Sequence, residues 1–333
     1  MNWKTRYLNP DPLTWRGYVD VPTDSCFYQH MELLNLLSDP IPSIPADQTA
    51  FALVGFKCDE GIQRDLGRTG ASEGPVAIRQ RLTNLPIQNP HIRLFDAGNI
   101  TCTDHDLEMS QLALAEVVAM LLQHHIHPIV LGGGHETAWG HYQGIARYLS
   151  SEKRLGIINC DAHFDLHPVH PTHRPSATTA FYQIAKAHEQ ENRHFDYNCI
   201  GIQHAGNFRQ AFEWAKRHHT KMILADEFHQ GQKEKCIDFV DRILDENEAV
   251  YFSLSLDVFS PAFAPGVSSI QPLGLNPWHL IPVIRQAASS GKVISYELVE
   301  HVPRYDIDHR TAKLAATLIY EIIHHHLEIT HTA

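Results

Sequence analysis

Five residues near the middle of the chain, DAHFD from Asp161 to Asp165, constrain it more than any other run. They follow LGIIN, Leu155 to Asn159, an apolar stretch with the length and flanks of a buried strand. Just past a strand's end, an extended backbone turns residues i, i+2 and i+4 to one side. That spacing presents Asp161, His163 and Asp165 together. Two hard carboxylates and an imidazole suit Mn²⁺ or Mg²⁺ and tolerate Zn²⁺. D-x-H-x-D alone is equally well read as a solvated acidic loop, so the rest of the chain has to decide.

Two more segments bear on it. VLGGGHE, Val130 to Glu136, follows a short apolar run, and its three glycines allow a tight turn with close backbone approach before His135. Neither G-x-x-x-x-G-K-[ST] nor G-x-G-x-x-G is present, so a phosphate cradle is disfavoured. SLSLDVFSPAFAPGVS, Ser253 to Ser268, reads as a strand ending near Asp257, with Ser255 and Asp257 on one face by the period of two.

Eight apolar runs read as strands: Phe51–Phe56, Ile92–Phe95, Pro128–Leu131, Leu155–Asn159, Tyr197–Gly201, Met222–Ala225, Val250–Leu256 and Val293–Leu298. Helical patterns alternate with most of them, over Leu107–His124, Thr137–Ser150, Phe181–Glu189, Asn207–His218, Lys233–Asp245, Pro277–Ser290 and Arg310–Leu327, the first capped by Thr103 or Asp104. Alternation of this kind implies an α/β fold with a mostly parallel sheet covered on both faces. In such sheets the ligand crevice lies at the carboxyl ends of the strands, where His135, Asp161, His163, Asp165 and Asp257 all fall. No linker divides residues 51–330, which read as one catalytic domain. Residues 1–50, rich in Pro, Asp and aromatics, read as an N-terminal arm packed on the domain or on a neighbouring subunit of a homo-oligomer.

Composition excludes several partners. The net charge is −11 and no basic cluster appears, which argues against nucleic acid. No apolar run approaches the ~20 residues that span a bilayer, and the N-terminus has no apolar segment of a signal peptide. Six cysteines without C-x-x-C spacing read as reduced thiols of a cytoplasmic protein. Most of the 25 histidines, including His124, His125, His127 and His324 to His326, read as structural or exposed.

Together DAHFD, GGGHE and the Ser253–Ser268 segment resemble the ureohydrolase (arginase/agmatinase) superfamily. The run GFKCDEGIQRDLGRTGASEGPVAIR, Gly55 to Arg79, is similar to its formimidoylglutamase branch, as are APGVS, GIQ…N (Gly201 to Asn207) and YELVEHVPRYDIDHRTAKLAA, Tyr296 to Ala316. The resemblance covers roughly Phe51 to Glu328. It implies an arginase-like three-layer α/β/α sandwich on an eight-stranded sheet, and hydrolysis of a small molecule, N-formimidoyl-L-glutamate, to L-glutamate and formamide in histidine degradation. It also implies two Mn²⁺ ions, one held by His135, Asp161 and Asp165, the other by His163, Asp161 and Asp257, with Asp161 shared. Such a pair supplies a nucleophile at neutral pH by lowering the pKa of water from 15.7 towards ~7. Glu300 aligns with the carboxylate that receives the amidine nitrogen, and Glu297 is its neighbour and competitor. Arg68, Arg64, Arg209 and Arg79 are the candidates for the substrate carboxylates, Arg68 first.

Two departures stand out. The family has a second bridging Asp where this chain has Ser255, which weakens the second ion. Where the family has SGTPF this chain has Ala177-Thr178-Thr179-Ala180-Phe181, in a loop that also carries His167, His170 and His173. Another ureohydrolase, acting on agmatine or a guanidino acid, is the alternative enzyme. A degenerate member with impaired metal binding is the alternative that Ser255 favours.

Overall fold

The computed structural model describes residues 3–45, 48–88, 92–169, 173–231 and 233–326. Among the described residues ten strands form one sheet: β1 (Tyr7–Leu8), β2 (Met31–Leu33), β3 (Thr49–Lys57), β4 (Ile92–Thr101), β5 (His127–Leu131), β6 (Leu155–Cys160), β7 (Asp196–Ile202), β8 (Lys221–Leu224), β9 (Ala249–Ser255) and β10 (Val293–Val299). Their order is β1-β4-β3-β5-β10-β9-β6-β7-β8, with β2 also on β4. The eight strands expected from the apolar runs are β3 to β10, and all are parallel. The expected count of eight falls short by β1, antiparallel to β4, and β2, parallel to it. Strands of two and three residues carry no readable period.

The near-continuous apolar runs are explained by burial on both faces. Along β3, Phe51 and Leu53 enter one core while Ala50, Ala52, Val54 and Phe56 enter the other. The first core is covered by the helices Gly74–Leu82, Lys233–Glu246, Pro277–Ser289 and Arg310–His325; the second by Leu107–Gln123, Thr137–Tyr148, Ala180–Gln190 and Arg209–Arg217. This is the three-layer sandwich. The Leu107–Gln123 helix is capped by Asp106, whose side chain accepts from Met109 N at 3.1 Å, and not by Thr103 or Asp104. Asp104 instead pairs with Arg6 at 2.6 Å.

The first fifty residues are tied to the same sheet. Besides β1 and β2, Trp15 is buried and its Nε1 donates to Asp96 on β4 at 2.8 Å. Among the described residues, no helix is long and apolar enough to cross a membrane. All six cysteines are free thiols, five of them buried.

The chain builds β5, leaves for β6 three positions away, extends outwards through β7 and β8, then returns to fill the two-strand gap with β9 and β10. That reversal leaves a crevice at the carboxyl ends of β5, β10, β9 and β6.

Candidate metal centre

Each of those four strands delivers a side chain to the crevice. A cavity of about 170 Å³ there is lined by His135, Asp161, His163, Asp165, Ser255, Asp257 and Glu300, among others. His135 follows β5 through the glycine turn, whose close approach is a real requirement. A Cβ on Gly133 would lie 1.5 Å from the Cys58 carbonyl oxygen.

Asp161 occupies the centre. Its Oδ2 lies 2.9 Å from His135 Nδ1, and its Oδ1 lies 3.4 Å from His163 Nδ1. Asp165 Oδ2 stands 2.8 Å from the same His135 nitrogen, and Asp257 Oδ2 stands 3.2 Å from His163 Nδ1. Two donor sets result, His135–Asp161–Asp165 and Asp161–His163–Asp257, each with its atoms within 4.8 Å of one another. His135 Nδ1 is fully buried yet has no hydrogen-bond partner of acceptable geometry, although two carboxylate oxygens flank it. A cation shared with those two oxygens would satisfy that nitrogen's lone pair. Hard oxygens with one imidazole in each set fit Mn²⁺.

The local backbone differs from a simple extended run. Residues 161–169 form no strand, and Asp165 has φ 48°. That left-handed turn, sterically costly for a residue with a Cβ, brings Asp165 to the His135 side. Asp257 likewise sits in a 3₁₀ turn, Leu256–Val258, after β9 has ended. Ser255 and Asp257 nevertheless meet, with Ser255 Oγ donating to Asp257 Oδ1 at 2.6 Å.

Among themselves these side chains are anions held together without enough counter-charge. Burial opposes a charged His135, but Asp161 and Asp165 outweigh it and hold the imidazole well above its usual pKa. His163 is raised in the same way against its own burial, chiefly by Asp257 and Asp161. Burial pushes Asp165 and Asp257 up, whereas Asp161, despite equal burial, is held low by the two histidines. Glu300 is pushed well up by burial and by Asp257 and Glu136. Its φ is 70°, and its Oε1 accepts the backbone N–H of His135 at 2.8 Å. Glu136 does not line the cavity. Its Oε1 accepts Gly61 N–H at 3.1 Å, tying the glycine turn to the GFKCDEG segment, and burial pushes its carboxyl up to about 8.

The arginines expected at the substrate do not line this cavity. Arg68 donates to Ser268 O at 2.9 Å and to Val267 O, and stacks 4.2 Å from the Tyr305 ring centroid. Arg64 is held by Glu108, at 2.8 Å, and Glu60, at 3.1 Å, and donates to Pro175 O at 2.6 Å. Arg79 is buried against Asp96 at 2.9 Å, and Arg209 is exposed beside Glu213. Among the described residues no lysine or arginine lines the cavity, whereas Thr178, Ser268 and Ser269 do. His167 and His173 do not line it, and His170 lies outside the described residues. Glu300 lines the cavity and Glu297 does not.

Three polar residues at the centre had no sequence signal. Ser253 Oγ lies 2.9 Å from His135 Nε2, and His141 is joined to it through Glu297. Gln271 Nε2 stands 2.9 Å from His163 Nε2. If His163 Nδ1 gives its lone pair to a cation, Nε2 carries the hydrogen and the Gln271 amide must turn its oxygen to it.

The model of the arginase family matches residues 49–325. The formimidoylglutamase of Geobacillus sp. (strain WCH70) is 38% identical over 323 residues, 96% of this chain and 97% of that protein. The formimidoylglutamase of Legionella pneumophila (strain Paris) is 36% identical over 319 residues, 96% and 98% of the two chains. Among solved structures, Bacillus subtilis formimidoylglutamase has TM-score 0.74 at 22% identity, covering 87% of this chain and 92% of that one. Trypanosoma cruzi formiminoglutamase with Mn²⁺ has TM-score 0.76 at 23% identity, covering 84% and 94%. These structures share the fold. The chain belongs to the arginase family.

Proposed function

With arginase-family membership as premise, we propose that this chain is a Mn²⁺-dependent formimidoylglutamase that hydrolyses N-formimidoyl-L-glutamate to L-glutamate and formamide, a step of histidine degradation. The observation that carries the reading is Asp161, whose two oxygens face two different imidazoles. His135, Asp161 and Asp165 would hold one ion, and His163, Asp161 and Asp257 would hold the second. When bound, Mn²⁺ lowers the pKa of water and so supplies a nucleophile at neutral pH.

The chain's own residues then do the positioning. Glu300 Oε1 is engaged by the His135 backbone, which leaves Oε2 for an amidine N–H of the substrate. Addition of water at the formimidoyl carbon, cleavage of its bond to the glutamate nitrogen and transfer of a proton to that nitrogen give the two products. The substrate carboxylates meet the neutral hydroxyls of Ser268 and Ser269, away from Thr178, which is taken up by Asp65. Arg68, clamped on the backbone of Val267 and Ser268, shapes that wall instead of touching substrate. A cytoplasmic setting belongs to the same reading, since six free thiols suit a reducing compartment. So does a homo-oligomer.

A panel assay tests it. Formamide should be released from N-formimidoyl-L-glutamate, with little urea from arginine or agmatine. Preferred urea release from agmatine would replace the substrate while leaving the family intact. Ser255 favours a second reading, a family member with one strongly held ion, for which elemental analysis after Mn²⁺ loading would give one Mn per chain.

A further inference from the structure

Behind His135, on the side away from the cavity, runs a buried polar chain that the proposed reaction does not touch. His135 Nε2 lies 2.9 Å from Ser253 Oγ. Ser253 Oγ donates to Glu297 Oε1 at 2.7 Å. Glu297 Oε2 is 2.9 Å from His141 Nδ1, and His141 Nε2 is 2.6 Å from Ser295 Oγ. Ser253, Glu297, His141 and Ser295 are each 0% exposed. None of the four lines the cavity, so substrate does not reach Glu297.

Sheet register fixes the arrangement. Glu297 on β10 is paired with Ser253 on β9 and with Val130 on β5, the strand that leads to His135. A slip of one residue would send the Glu297 side chain to the opposite face. The hydrogens follow from the atoms. A neutral imidazole that offers Nδ1 as a ligand carries its hydrogen on Nε2. That hydrogen goes to Ser253 Oγ. The Ser253 hydrogen then goes to Glu297, because an ionised carboxylate has none to give.

We infer that Glu297 is a positioning residue for metal binding, acting through Ser253 on His135. It selects the Nε2–H form of the ring, fixes the ring plane and makes Nδ1 a better donor. The inference rests on the ligand role proposed above for His135. A carboxylate or carbonyl behind a metal-bound histidine is a recurring device, and its loss typically costs about 10–100-fold in metal affinity. Here a serine is interposed, and His141 holds the far oxygen of the carboxylate. The competing account is a buried Glu297–His141 pair that only stabilises the fold. Such a pair would not discriminate between two ions in one crevice.

The experiment is Mn²⁺ titration of metal-free wild type, Glu297→Gln and Ser253→Ala by calorimetry, with electron paramagnetic resonance to separate isolated from paired Mn²⁺. Circular dichroism confirms that each variant is folded. Glu297→Gln should weaken one ion about 10–100-fold and leave the other within a few-fold. Isolated Mn²⁺ signals should persist at concentrations that pair the ions in wild type. Ser253→Ala cuts the same chain at another link and should act in the same direction, and it carries the test if Glu297→Gln does not fold. A folded variant with wild-type affinity and stoichiometry, or equal weakening of both ions, would overturn the inference. Absence of Mn²⁺ uptake by wild type would instead overturn the ligand reading, and this inference with it.

Discussion

Ser255 Oγ stands 2.6 Å from Asp257 Oδ1, a hydroxyl donating to a carboxylate inside the crevice. The contact ties one oxygen of Asp257 and leaves Oδ2 facing His163. The expected outcome of Ser255→Asp is tighter binding of Mn²⁺, by ~1–3 kcal/mol for one charge-assisted contact. In the metal-free state the same variant should be less stable, because two buried carboxylates would then adjoin. Mn²⁺ titration of the variant against wild type measures the first effect. An unchanged dissociation constant means that position 255 does not reach the ions.

Asp161→Ala should be the most damaging single change at the site. Both donor sets use this residue, so both lose a ligand. Bound Mn²⁺, measured by elemental analysis after gel filtration, should fall to near zero, and formamide release should fall with it. A folded variant that retains two ions per chain would refute the sharing of Asp161.

Arg79→Ala should act on stability. Its guanidinium is 2.9 Å from Asp96 and 2.9 Å from Asn99 Oδ1, in a buried setting that also holds Trp15. Removing one partner of a buried ion pair leaves the other charge uncompensated and costs ~3–5 kcal/mol. The urea midpoint should drop accordingly, while KM of the surviving folded enzyme stays within a few-fold. A change in KM with no loss of stability would return Arg79 to the substrate.

Acid should destabilise the fold through His188, away from the metal centre. Burial pushes His188 down to about 4, with Arg193 adding to the effect, while its Nδ1 meets the His194 carbonyl at 2.8 Å. A lowered imidazole stays neutral in the fold but charges in the unfolded chain near pH 6.5. Its contribution is therefore complete above pH 6.5 and is lost as pH falls towards 4, on the order of 3 kcal/mol in all. Urea titrations of metal-free wild type and His188→Gln at pH 7 and pH 5 test this. The variant should show the smaller acid loss, and parallel losses would remove His188 from the account.

The five side chains of the two donor sets were legible because hard donors cluster within short runs at the ends of apolar strands. Their geometry was less so. Asp165 reaches His135 through a left-handed turn and Asp257 through a 3₁₀ turn, neither of which follows from counting by two. The arginines were illegible for a different reason. Arg68 is satisfied by Ser268, two hundred residues along the chain, and nothing local marks that partner. His141 looks like any histidine in a helix until β10 sets Glu297 beside it. The helix start at Asp106 was displaced because Asp104 had a stronger use in Arg6.

The small strands of the first fifty residues carry a consequence out of proportion to their length. β4 is ten residues long and pairs with β3 on one side; β1 and β2 occupy two stretches of its other side. Without them β4 would present a row of open amide and carbonyl groups, a template for another chain. The far margin is only the four residues of β8, beginning at Lys221. Deleting the N-terminal segment would therefore leave the crevice chemistry intact and expose the protein to self-association by strand addition.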